Sequence, residues 1–154
     1  MSTKVGIIFG STSDHDKMAR AGAVLERFGV GFEMDANSAH RAPDRVRAWV
    51  RAAEEKGVEV IIAGAGMAAH LPGVVASLTR LPVIGVPLSG GLADGMDALL
   101  SVVQMPPGVP VATVAVNGAA NAAVLAVQIL AIADEDLRKK LDEYKDQLAE
   151  GLNL

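Results

Sequence analysis

Three short segments of the chain combine titratable, cationic or hydroxyl side chains, and each follows an apolar run. They are residues 10–14 (GSTSD), 38–44 (SAHRAPD) and 64–70 (GAGMAAH). Imidazole groups transfer protons near neutral pH, and a guanidinium group matches the geometry of phosphate oxygens. These residue types predict acid–base chemistry on an anionic ligand, at one site that all three segments form.

The first segment, residues 10–14, offers hydroxyls and backbone amides where a helix is expected to begin, which is a favourable place for an anion. It is neither a P-loop nor a dinucleotide fingerprint, because the further glycines and the Gly-Lys-Ser/Thr end are missing. The Asp14 carboxylate can accept hydrogen bonds from ribose hydroxyls. The structural alternative is that Ser13 caps the helix, with Asp16 completing a capping box.

The second segment places His40 beside Arg41 and just before Pro43, a residue suited to the first turn of a helix. His40 is a candidate for proton transfer and Arg41 a candidate for phosphate binding. Their structural alternatives are a hydrogen-bonding histidine and an Arg41–Asp44 ion pair.

The third segment ends in His70 after a run of Gly and Ala in which only Met67 has a bulky side chain. Small residues let the backbone approach a flat ligand, although they also allow tight packing of a helix on a sheet. His15 is expected at the surface. Because the three histidines lack the spacing of metal ligands, no metal site is expected.

Apolar runs that do not alternate with polar residues predict strands covered on both faces, hence a parallel sheet. Helical patterns separate these runs, and 31–37 predicts a more polar strand near an edge. The class is therefore α/β: a single domain, residues 1–154, with a three-layer, doubly wound, flavodoxin- or Rossmann-like sheet. An extra C-terminal helix, 134–151, is expected to dock on its own or a neighbouring subunit. The other expected strands are 5–9, 58–63, 82–86 and 111–116, and the other helices 16–28, 43–56, 71–78, 94–103 and 119–133.

Ligands bind at the carboxyl ends of strands in such sheets, and all three polar segments follow strands. The net charge of −4 and the pI near 5.3 disfavour binding to nucleic acid or to an anionic membrane. The chain has no cysteine, which excludes disulfides, thiolate nucleophiles and Cys-ligated zinc. Without the pattern of a signal peptide, the expected location is the cytoplasm.

Residues 57–133, half of the chain, contain only four charged side chains. The run 119–133 is apolar apart from Asn121 and Gln128, yet it is too short to span a bilayer, which takes about 20 apolar residues. A helix that is apolar on all sides must be buried on all sides. The sequence therefore predicts contacts between subunits, in a homo-oligomer.

Taken together, ordered strings along residues 4–133 resemble the N5-carboxyaminoimidazole ribonucleotide mutases of purine biosynthesis, also described as catalytic subunits of phosphoribosylaminoimidazole carboxylase. Several motifs in order are far more specific than any one of them. The matching strings are GSTSD (10–14), SAHRAPD (38–44), GAGMAAHLPG (64–73), LPVIGVP (81–87), SVVQMPPGVPVAT (101–113) and ANAA (120–123).

The resemblance implies an enzyme that moves the carboxylate of N5-carboxyaminoimidazole ribonucleotide from nitrogen to carbon 4, without ATP, biotin, metal or other cofactor. It implies a homo-octamer with sites between subunits, supplied by an ATP-dependent synthetase that makes the carbamate. It assigns the 5′-phosphate to Ser11 and Arg41, the ribose to Asp14 and acid–base catalysis to His40. The remaining implied contacts are Ser13, Ser38 and Ala39 along the nucleotide, and Ala65, Gly66, Met67, His70 and Leu71 around the migrating carboxyl group.

Three alternatives remain open on the sequence. A carboxylase that uses free CO2 is one, although the related enzymes of that class have Lys in place of Arg41. A nucleotide-binding paralogue without activity is the second, because Met67 stands where the family usually has Gly. A carboxylase acting on another nucleotide is the third. Further departures from the family pattern are Asn37, Ala42 and Ala98.

Overall fold

Strands and helices alternate along most of the chain, as the sequence predicts. The structure is a computed structural model and describes residues 2–152. The strands are β1 (Thr3–Phe9), β2 (Gly31–Ala36), β3 (Val60–Gly66), β4 (Val83–Leu88) and β5 (Ala112–Thr113). The helices are α1 (His15–Phe28), α2 (Pro43–Glu55), α3 (Leu71–Leu78), α4 (Met96–Val103), α5 (Ala119–Leu130) and α6 (Glu135–Ala149). Single turns of 3-10 helix at Thr12–Asp14 and Leu92–Asp94 precede α1 and α4.

The five strands form one parallel sheet in the order β2-β1-β3-β4-β5. The strand order reverses between β1 and β3, and this doubly wound order confirms the predicted fold class. The more polar strand β2 lies at an edge of the sheet, as its composition predicts.

Each face of the sheet carries its own apolar core. Ile7, Ile62 and Val86 point to the layer of α1, α5 and α6, and all three are fully buried. Their chain neighbours Ile8 and Ile61 point to the layer of α2, α3 and α4. Because successive side chains of a strand face opposite ways, burial on both faces requires unbroken apolar runs.

Strand β5 is shorter than the predicted 111–116. Only Ala112 and Thr113 pair with β4, and the Val114 amide adds one further hydrogen bond to the Gly85 carbonyl at 3.1 Å. The chain then turns at Asn117, whose φ is 59°, toward the start of α5. Residues 115 and 116 therefore form no ladder with β4 despite their apolar side chains, although the Asn117 amide again donates to β4, at the Pro87 carbonyl, at 2.8 Å.

Most of the apolar segment 119–133 is buried by its own chain. Helix α5 ends at Leu130, and α1, α6, β3 and β4 pack around it. Its polar residues Asn121 and Gln128 are the exposed ones, whereas Ile132, beyond the helix, is 76% exposed. The apolar character of α5 therefore does not by itself require contacts between subunits, which stay a prediction.

Helix α6 docks on its own chain. The Asp134 side chain caps it by accepting hydrogen bonds from the amides of Asp136 and Leu137, both at 3.0 Å. Tyr144 is buried and stands edge-on to Phe28, with the ring centres 5.3 Å apart. None of the helices within residues 2–152 is long and apolar enough to cross a membrane.

Candidate active site

The three polar segments meet at the carboxyl edge of the sheet, where backbone hydrogen bonds hold two of them at strand ends. The Gly10 amide donates to the Gly64 carbonyl at 3.2 Å, and the Asn37 amide donates to the Phe9 carbonyl at 2.9 Å. We call residues 10–14, 38–42 and 65–71 the first, second and third loops. Parallel strands bring these loops together although they are far apart in sequence.

The second and third loops are joined by a direct contact between two imidazoles. Nε2 of His40 lies 2.6 Å from Nδ1 of His70, and the rings are nearly perpendicular, at 86°. One nitrogen must carry a hydrogen and the other must accept it. Both side chains are exposed, so a ligand can reach the pair.

Arg41 joins the second loop to the first. Its Nη2 donates to the Gly10 carbonyl at 3.2 Å, and its amide donates to Ser38 Oγ, also at 3.2 Å. Within residues 2–152 Arg41 has no carboxylate partner, so the Arg41–Asp44 ion pair considered from the sequence is absent. The Arg41 side chain is exposed, and the bond to Gly10 holds it at the start of the first loop.

The first loop differs from the capping box considered from the sequence. Ser11, not Ser13, caps the 3-10 turn, by accepting a hydrogen bond from the Ser13 amide at 3.4 Å. Asp14 is the N-cap residue of α1, but its side chain makes no capping bond. The hydroxyls of Ser11 and Ser13 lie 3.0 Å apart. Helix α1 thus begins one residue later than a Ser13 cap requires.

Asp14 is the titratable group whose environment is perturbed. Burial raises the pKa of its carboxyl above the usual 3.8, while the Lys17 ammonium and the Ser11 amide act in the opposite direction. The carboxylate is therefore poorly solvated and lies beside a cation, which suits an acceptor of ligand hydroxyls.

The residues of the third loop differ in burial and in backbone conformation. Ala65 and Leu71 are 6% and 3% exposed and pack in the core, so a ligand can contact only their backbone atoms. A Cβ at Gly66 would lie 3.3 Å from the Leu88 carbonyl oxygen. Met67 adopts a left-handed conformation, φ 56°, with its side chain 65% exposed. This conformation favours glycine, which gives a physical reason for the family preference noted above.

A fourth segment at this edge was missed. Ser89 follows β4, and the Asn117 side chain binds both its amide, at 3.0 Å, and its hydroxyl, at 2.8 Å. Lys17 Nζ donates to the Ser89 carbonyl at 2.8 Å. The signal was present, because the Ser-Gly-Gly at 89–91 follows an apolar run as the other three segments do.

A groove of about 350 Å³ lies at the opposite, amino-terminal edge of the sheet, between the starts of the strands and α6. Its charged groups have partners: Lys4 pairs with Glu59, and Lys140 Nζ donates to the Phe28 carbonyl at 2.7 Å. It holds no histidine. The residues predicted to carry the chemistry therefore lie at the carboxyl edge, whereas the groove lies at the amino-terminal edge.

Known proteins resemble the chain over nearly all of its length. A family model described as AIR carboxylase matches residues 4–151. The N5-carboxyaminoimidazole ribonucleotide mutase of Pyrococcus abyssi is 57% identical over 145 residues, which cover 94% of this chain and 83% of that protein. The mutase of the same name from Thermotoga maritima is 55% identical, with coverages of 94% and 85%.

Among solved structures, the crystal structure of Treponema denticola PurE superposes with a TM-score of 0.89 at 26% sequence identity. The match covers 96% of this chain and 92% of that one. Sequence and fold agree over the whole of the sheet that carries the four segments, and the chain belongs to the AIR carboxylase family.

Proposed function

We propose that the protein is a mutase that converts N5-carboxyaminoimidazole ribonucleotide to 4-carboxy-5-aminoimidazole ribonucleotide in purine biosynthesis. The observation that carries the proposal is the contact between His40 and His70 at the carboxyl edge, where the loop of His40 also carries Arg41, whose guanidinium donates to the Gly10 carbonyl of the first loop. The names of the two relatives support the choice of substrate. The reaction uses no ATP, biotin, metal or other cofactor.

The substrate lies across the first and second loops. Arg41 and Ser11 bind the 5′-phosphate, for which the guanidinium turns from the Gly10 carbonyl toward the hydroxyl of Ser11. Asp14 accepts hydrogen bonds from the ribose. Ser13, Ser38 and Ala39 line the nucleotide. The aminoimidazole then lies over the third loop, at the imidazole pair.

The chemistry is a decarboxylation followed by a recarboxylation. The bond between the exocyclic nitrogen and the carboxyl carbon breaks, its electron pair stays on nitrogen, and His40 donates a proton there. The released CO2 is attacked by carbon 4, which then bears both the new carboxylate and its original hydrogen. His40 removes that proton and the ring regains its aromaticity, so no proton is consumed overall.

His70 orients His40 for both steps, because one hydrogen is shared between their facing ring nitrogens, which are 2.6 Å apart. While CO2 passes from nitrogen to carbon, the donated proton stays on the exocyclic nitrogen, and the proton that His40 then takes from carbon 4 restores the pair. The third loop, from Ala65 to Leu71, confines the CO2 with backbone and small side chains. Excluding water there prevents loss of CO2 to solvent.

The protein works as a homo-oligomer, and as an octamer, the assembly implied by the resemblance. Support comes from α4 and the turn before it, where large apolar side chains are exposed along one face. The exposed fractions are 77% for Leu92, 51% for Met96, 52% for Leu100 and 44% for Val103. Such a contiguous face typically marks an interaction surface. Light scattering after size exclusion tests this, and Leu100→Asp should give smaller particles if α4 is the interface.

The cytoplasm is the proposed location, with an ATP-dependent synthetase as the functional partner. The carbamate substrate loses CO2 readily, so the enzyme that makes it has to work in the same compartment. A chain without cysteine is compatible with a reducing environment.

A second candidate is a nucleotide-binding protein without turnover, which the exposed Met67 at the third loop favours. An ultraviolet assay with purified protein decides between the two. The first mixture contains N5-carboxyaminoimidazole ribonucleotide and a chelator, without ATP. The second mixture, run in parallel, contains aminoimidazole ribonucleotide and dilute bicarbonate. Product in the first mixture supports the mutase, and binding without product supports the second candidate. Product in the second mixture alone identifies a carboxylase that uses free CO2.

A further inference from the structure

Residues 89–97 form a segment after β4 that reaches the candidate site and is fixed by few anchors. At its start, Ser89 is bound by Asn117 through two hydrogen bonds and by Lys17 through its carbonyl, at 2.8 Å. At its end, Asp97 Oδ2 accepts a hydrogen bond from the Leu92 amide at 2.9 Å.

The backbone of this segment needs those anchors. Ala93 and Asp94 have φ values of 49° and 53°, and Asn117 has a φ of 59°. Residues other than glycine keep such conformations only where the surroundings fix them. Losing an anchor therefore loosens the segment at low cost to the rest of the fold.

Lys17 is placed to act on two site elements at once. It lies one turn after Asp14 on α1, and its half-buried ammonium lowers the pKa of the Asp14 carboxyl. The same ammonium donates to the Ser89 carbonyl. The charged group that acts on the Asp14 carboxyl is Lys17, and the neighbouring titratable groups on α1 are His15 and Asp16.

We propose that Lys17 is a positioning residue of the mutase site, whose ammonium ties residues 89–97 to the first loop and keeps Asp14 as an ionised acceptor for the ribose. This inference rests on the proposed function. The proposal gives Lys17 no contact with the phosphate, because its ammonium donates to the Ser89 carbonyl and acts on the Asp14 carboxylate. Its effect on the substrate passes through Asp14 and the segment.

Three variants test the proposal. Lys17→Met keeps the length of the side chain and removes the charge, Lys17→Arg keeps the charge, and Asn117→Gly removes the second anchor while suiting the backbone. The matched control is Lys140→Met, because Lys140 also donates to a backbone carbonyl, that of Phe28, but at the opposite edge.

Lys17→Met and Asn117→Gly should each raise KM about tenfold with kcat within about threefold, because an ordered site is lost rather than a reacting group. Only Lys17→Met should move the acidic limb of kcat/KM to higher pH, since only it removes the cation that lowers the pKa of Asp14. Lys17→Arg should keep the KM and the acidic limb of the wild type, and Lys140→Met should change neither of these two quantities. Aminoimidazole riboside and ribotide, titrated by calorimetry, should lose affinity equally in Lys17→Met.

Hydrogen exchange gives a readout that needs no substrate. Peptides that cover 89–97 should exchange faster in Lys17→Met and Asn117→Gly than in the wild type. Unchanged exchange in folded Lys17→Met overturns the proposal, as does a loss confined to the phosphorylated ligand, which makes Lys17 a phosphate ligand. A wild-type protein that exchanges as expected but converts no carbamate refutes the proposed function, and with it any role of Lys17 in turnover.

Discussion

The two edges of the sheet both carry charged side chains and helix ends, yet they differ in how these groups are satisfied. At the amino-terminal edge, Lys4, Lys140 and Asp134 are each engaged by an ion pair, a carbonyl or a helix cap. At the carboxyl edge, the exposed imidazoles of His40 and His70 bond only each other within residues 2–152, and Arg41 has no carboxylate partner there.

Strained backbone conformations also distinguish the carboxyl edge of the sheet from the amino-terminal edge. The four non-glycine residues with positive φ within residues 2–152 all lie at or beside the carboxyl edge: Met67, Ala93, Asp94 and Asn117. A groove alone therefore does not mark the site, whereas strain together with exposed chemistry does. The predictions below test whether function and stability separate between the two edges.

The largest expected effect is that of His40→Asn. It removes the titrating group at similar side-chain length, so kcat should fall about 10²- to 10⁴-fold while nucleotide binding persists. Turnover is followed by ultraviolet absorbance and binding by calorimetry. Lys140→Met, at the other edge, should leave kcat unchanged and lower the melting temperature slightly, because the Phe28 carbonyl at the end of α1 loses its cation. Turnover of His40→Asn within a few-fold of wild type would contradict the role of His40.

Arg41→Ala should have the next largest effect. A charge-assisted hydrogen bond contributes about 1.5 to 3 kcal/mol, or about ten- to 150-fold in affinity. The ribonucleotide should lose this affinity, and the nucleoside without phosphate should not. Equal losses for both ligands would show that Arg41 does not bind the phosphate.

The sheet and the order of its layers were predictable, because unbroken apolar runs require cover on both faces and polar segments mark strand ends. Direct contact between His40 and His70 was not predictable, since the two residues are 30 positions apart and their distance depends on where α3 begins. The turn at Asn117 was missed because residues 111–116 are apolar apart from Thr113. Cover of α5 by its own chain depends on packing that composition does not reveal.

A smaller effect is expected from Met67→Gly. A residue with a Cβ in the left-handed region costs about 1 to 2 kcal/mol. Glycine avoids this cost, but its greater conformational freedom in the unfolded chain offsets part of the gain in stability. The free energy of unfolding should therefore rise by up to about 1 kcal/mol. Met67→Ala keeps the Cβ and should give no such gain. Denaturant titration measures both, and equal stability of the two variants would show that the conformation at Met67 is not strained.

The smallest expected effect concerns Asp14 and the pH dependence of stability. Burial raises the pKa of its carboxyl in the folded protein, so between 3.8 and that raised value the folded state binds more protons than the unfolded state. The free energy of unfolding therefore falls as the pH rises from 3.8 through the raised pKa of Asp14. At neutral pH the destabilisation by the ionised, partly buried carboxylate is fully present.

Asp14→Asn removes that cost and should raise the melting temperature slightly at pH 7, by an amount that shrinks as the pH is lowered toward 3.8. Binding of the ribose should weaken in the same variant, because an amide is a poorer acceptor than a carboxylate. Asp136→Asn is a suitable control at the amino-terminal edge. Melting curves at several pH values measure the first effect and calorimetry the second. If Asp14→Asn is destabilised at pH 7 and binds the nucleotide normally, then Asp14 stabilises the fold and does not bind the ligand. In that case the carboxyl edge would contain a charged group with a purely structural role, as the amino-terminal edge does.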